Sequence, residues 1–173
     1  MKKFFTFLAV AAMAFAAQAA QLTVCDGVAT SEFVPIYGIY YDTQNTTAQM
    51  IYPADMLTDM KDGKITELRF FSARVFDSRL SDGTLQLSLK VVDQDRFAEE
   101  GLDVITGALA VASTSPVTGE TELVFTLDEP FEYTGGNLLV ETLVTDAGGI
   151  RTTEFYGIET DYISSMYKYV WAT

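Results

Sequence analysis

The chain has 173 residues, 24 of them acidic against 11 basic, with a formal net charge of −13, no histidine and one cysteine. An acidic surface repels phosphate backbones and anionic lipid, which argues against nucleic acid and acidic membranes as partners. Without histidine there is no Ser-His-Asp, Cys-His or His-zinc arrangement, and of the chemistries left a two-carboxylate glycosidase is the realistic case.

The first residues, MKKFFTFLAVAAMAFAAQAA, have the three-part layout of a secretory signal peptide. Lys2 and Lys3 are the charged start, Phe4 to Ala16 the apolar run, and Ala17-Gln18-Ala19 the small-x-small site before a cut at Ala20. The run is too short to span a bilayer and no second one follows, so the expectation is a signal peptide over 1–19 and an exported chain that does not insert into a membrane. Losing Lys2 and Lys3 takes the charge from −13 to −15. Residues 20–173 suffice for one domain with a single core. Cys25 cannot close an internal disulfide, and Val24 before it is a poor fit to lipoprotein processing, so it is expected as a small buried strand residue.

Along the mature chain, period-two alternation dominates. Strands are expected over Leu22 to Cys25, Phe33 to Tyr41, Thr47 to Tyr52 and Ile65 to Ser72. The clearest is Thr84 to Asp93, where Leu85, Leu87, Leu89 and Val91 share one face and Gln86, Ser88 and Lys90 the other. Thr106 to Ala112, Glu122 to Asp128, Asn137 to Thr145, Thr152 to Gly157 and Ser165 to Trp171 complete the set. Asn137 to Thr145 is apolar on both faces at its start, as in a central strand. One short helix is expected over Pro53 to Met60, with proline at the position whose N–H would be unpaired anyway. A second helical turn is expected over Arg96 to Leu102. Asp26-Gly27, Asp62-Gly63, Asp82-Gly83, Gly135-Gly136 and Gly148-Gly149 read as turns, the aspartates serving the local backbone rather than a metal. Asp128-Glu129-Pro130 reads as a strand-end turn, and no calcium-loop spacing occurs.

Many short strands with glycine turns and one minor helix specify an all-β, antiparallel β-sandwich. The strands are too numerous for the seven-stranded immunoglobulin type, which leaves the jelly roll.

The segments LTVCDGVATSEFVPIYGIYYD, MIYPADML, GKITELRFF, PFEYTGGNLLVE and EFYG, in that order, resemble a module near the N terminus of secreted Bacteroidales-type surface proteins. The landmarks are Asp26-Gly27, Val34-Pro35, Tyr37-Gly38, Pro53, Gly135-Gly136-Asn137 and Tyr156-Gly157. The resemblance implies a β-sandwich attached to adhesin-like, immunoglobulin-like or glycan-processing regions, at the surface of a Gram-negative bacterium, with no catalytic residues and no cofactor. Similar modules run on into a further strand and more domains, whereas this sequence stops at Trp171-Ala172-Thr173. On that comparison the domain is expected to be truncated, with the partner domains of the same polypeptide missing.

Aromatic side chains are the candidate binding residues, since sugars lay apolar ring faces on tyrosine or tryptophan. Tyr167, Tyr169 and Trp171 alternate along the last strand and so project to one side. They form either a glycan platform or, as large strand aromatics more often do, part of the core. Tyr37 and Tyr41, beside Ile39, read as buried. The acidic pairs Asp93 and Asp95, Asp55 and Asp59, and Glu99 and Glu100 read as a solvated surface. Adhesion through glycan or protein binding is the function expected, ahead of a spacer domain and a carboxylate-dependent carbohydrate enzyme.

Overall fold

A computed structural model describes residues 21–37, 42–99, 103–149 and 153–169. The signal-peptide segment 1–19, Tyr41 and Trp171 lie outside these.

Nine strands form among the described residues: β1 (Thr30–Ser31), β2 (Thr47–Tyr52), β3 (Gly63–Phe71), β4 (Thr84–Val92), β5 (Leu109–Thr114), β6 (Glu122–Tyr133), β7 (Asn137–Asp146), β8 (Phe155–Tyr156) and β9 (Ser165–Lys168). All pairings are antiparallel. One sheet has the order β5-β4-β7-β2-β9. Opposite it lie β3-β6 and β1-β8, joined by the Ser72–Phe155 bridge and by the Ala73 N–H donating to the Glu154 carbonyl at 2.8 Å. The strands therefore pair 1 with 8, 2 with 7, 3 with 6 and 4 with 5, as if one long hairpin had been rolled up. That pairing is a jelly roll, with β9 added along the β2 edge.

Between the layers, Leu85, Leu87 and Leu89 of β4 meet Leu123 and Phe125 of β6, all at 0–1% exposure. Val91 departs from the expected pattern at 42% exposure. It shares their face but lies at the sheet end, over Gly136, where a Cβ would come within 2.7 Å of the valine Cγ1 and φ is +96°. Only glycine suits that turn. The outer face of the larger sheet is covered too. Ile51, Val92, Leu139 and Met166 form a second, smaller core with Phe97 from the β4–β5 connection.

Several expectations need correction. Leu22 to Cys25 is not a strand, and Cys25 is half-buried rather than buried. Residues 33–37 bend, with a cis bond at Val34-Pro35, instead of pairing. Proline lacks the N–H that a ladder needs. Asp128-Glu129-Pro130 stays within β6, where residues 127–130 fall between the Thr126–Glu67 and Phe131–Ile65 pairs. A bulge is a position where proline costs no ladder bond. Residues 96–99 are not helical; Phe97 instead donates its N–H to the Ile163 carbonyl at 2.8 Å. The expected helix is a 3-10 helix over Ala54–Met60 with Leu57 buried in the main core, and the Asn137 side chain accepts from its first N–H, that of Ala54, at 2.9 Å. A second helix, α1 (Ser78–Ser81), was not foreseen; Asp77 caps it by accepting from the Arg79 and Leu80 N–H groups.

Candidate functional site

Strand β9 is the outermost of the larger sheet and pairs Met166 with Gln49 and Tyr167 with Ala48 of β2. Alternation sends Met166 into the small core and Tyr167 to the opposite face. Residues 33–37 lie over that face. They are held there by the buried Ile36 and by the Thr142 hydroxyl, which donates to the Pro35 carbonyl.

This packing gathers four rings. Phe33 stacks on Tyr167 with centroids 5.0 Å apart and planes 14° from parallel. Tyr37 tilts against both, at 5.4 Å from Phe33 and 4.4 Å from Tyr167, and meets the edge of Tyr169 at 6.2 Å. The Tyr169 hydroxyl is 3.1 Å from the Thr43 hydroxyl. Phe33 is 38% exposed and Tyr167 40%, and neither belongs to either core. The patch thus joins two exposed rings, two half-buried ones and a hydroxyl at the sheet edge. Trp171 lies outside the described residues. Tyr37, expected on a strand face, is half-buried in this bent segment. Phe33 and Thr43 were missed, although proline at position 35 was the available sign that residues 33–37 are no regular strand.

Beside the patch, β1 and β8 of one layer and β2 and β9 of the other line a cavity of about 140 Å³. Tyr52 stands in its wall. Burial, reinforced by the nearby Cys25, pushes the Tyr52 phenol up to about 12. An unfolded tyrosine ionises near 10. The unfolded chain therefore loses this proton first as pH rises, so stability is fully present below about pH 10 and is lost as pH climbs through about 12. We expect a loss on the order of 2 kcal/mol from this group, read as the unfolding free energy against pH. In Tyr52→Phe the slope should flatten; an unchanged slope would place the Tyr52 phenol in water.

Of the acidic pairs, Glu100 lies outside the described residues. Asp95 takes the Arg96 guanidinium on both oxygens at 2.9 Å, and this ion pair holds its carboxyl below the usual range. Asp26 accepts the Val28 and Ala29 N–H groups at 2.7 and 2.8 Å, which lowers its carboxyl too and makes it the turn residue expected. Among the described residues no three His, Cys, Asp or Glu side chains gather as for a metal ion, and no helix is long and apolar enough to cross a membrane.

No family model, curated protein or solved structure matches the chain.

Proposed function

We propose that this chain is a non-catalytic jelly-roll module of an exported, surface-attached protein, and that it serves adhesion by binding glycan on the aromatic patch of the β9 edge. The observation that carries this reading is the pair Phe33 and Tyr167, stacked, more than a third exposed and outside both cores. Leaving more than a third of each in water forgoes roughly that share of the about 1.5–3 kcal/mol that full burial is worth. Sugars present CH faces to rings and hydroxyls to polar neighbours, and the half-buried Tyr169, its hydroxyl paired with that of the buried Thr43, stands at the patch margin. The acidic surface fits neutral ligands better than anionic ones.

Tyr167→Ala tests the reading. On an array of host and plant glycans the variant is expected to lose all binding shown by the intact domain. Its stability should fall by only about 1 kcal/mol, the worth of a partly exposed aromatic contact, which leaves the unfolding midpoint within a few degrees. Retained binding, or a midpoint that collapses, would return Tyr167 to a structural role and make a spacer domain the better account.

A further inference from the structure

The cavity between the layers has the dimensions of a ring site. At about 140 Å³ it is comparable with the ~150 Å³ cavity that takes up benzene in an engineered protein core. Met50, Met56, Phe70 and Phe155 give it apolar walls. Its polar lining among the described residues is made of hydroxyl and backbone groups, with no charged side chain. Tyr52, Tyr156 and Ser165 line it, and their hydroxyls have no hydrogen-bond partner among the described residues.

The cavity adjoins the patch along the chain. Ser165 in its wall and Tyr167 in the patch are two residues apart on one face of β9, roughly 7 Å along the strand. Val34 and Pro35 line the cavity while Phe33 and Tyr37, on either side of them, carry rings of the patch.

Resting on the glycan reading above, we infer that the cavity holds the terminal ring of a neutral glycan, with the adjoining unit on Phe33 and Tyr167. A pyranose offers CH faces to the methionine and phenylalanine walls and hydroxyls to Tyr52, Tyr156 and Ser165. A uronic or sulfated sugar would bring a charge for which the lining has no counter-ion, and burying an unpaired charge is costly. Such a half-open site sets direction when a chain enters it by its end.

Calorimetric titration of the intact chain with neutral oligosaccharides of two to six units, and with their parent polysaccharides, tests this. Affinity is expected to reach its full value within the first few units and then stay level. Ser165→Trp, which lays an indole across the mouth, should weaken oligosaccharide binding at least tenfold, and Tyr52→Phe, which removes one hydroxyl, several-fold. Both variants should unfold within a few degrees of the parent. Affinity that climbs through six units, with both variants binding normally, would overturn the end site and leave the patch reading standing. Failure of every neutral sugar to bind would overturn both.

Discussion

Leu87→Ala is expected to lower the unfolding free energy by about 2–5 kcal/mol, while Gln86→Ala, one residue away, should change it by no more than ~0.5 kcal/mol. Leu87 has 0% exposure in the middle of β4, with Ala112 of β5 on one side and Thr142 of β7 on the other. Truncation loses the transfer free energy of the side chain and leaves a cavity that strands on both sides keep from collapsing. Gln86 points to the other face and is half-buried. A domain of this size holds only about 5–15 kcal/mol in all, so the first variant should lose a sizeable share of its stability. Denaturant titration of the two variants checks the face assignment. Equal losses would mean that the strand is shifted by one residue, since each step exchanges inner and outer faces.

Gln49→Leu should cost a further large amount, about 2–4 kcal/mol, for a different reason. Gln49 is 1% exposed on the outer face of β2. Its amide donates to the Ile105 carbonyl at 2.8 Å and accepts from the Ile105 N–H at 2.9 Å, so one side chain takes the place of a strand partner for the connection between β4 and β5. The same amide donates to Glu141 on β7. Leucine fills similar space but leaves both backbone groups of Ile105 and the Glu141 carboxylate without this partner, and stranded buried groups cost more than a hydrogen bond gains. Amide exchange at Ile105 should accelerate well beyond what the global loss explains. Unchanged protection there would show that the apolar contacts of Phe97 and Val104 hold this connection without Gln49.

The difference between these two residues shows which parts of the fold a sequence exposes. Leu85, Leu87 and Leu89 alternate with polar neighbours, and the period alone places them inside. Pro53 and the face of Met56, Leu57 and Met60 reveal a helix, although not that it is a 3-10 helix. Gln49 carries no such mark, because a polar residue in a strand reads as solvent-facing until a distant loop covers it. The misread N-terminal segments have a related cause. Leu22 to Cys25 and Phe33 to Tyr37 are apolar enough for strands, yet β1 is only two residues long and the segment after it covers the sheet end rather than joining it. The candidate site was half legible. Alternation gives the side to which Tyr167 projects, but its exposure depends on β9 being at the edge and on the bend at Val34-Pro35. The cavity is lined by strands and connections far apart in sequence, and no local pattern announces it.

The binding claim is tested most directly by following aromatic ring protons in the NMR spectrum during titration with the glycan that the domain retains best. The ring signals of Phe33 and Tyr167 should shift or broaden together and saturably, with those of the buried Phe125 and Tyr133, which line neither the patch nor the cavity, left in place. Shifts confined to other rings, or saturable binding with Phe33 and Tyr167 unmoved, would contradict the account.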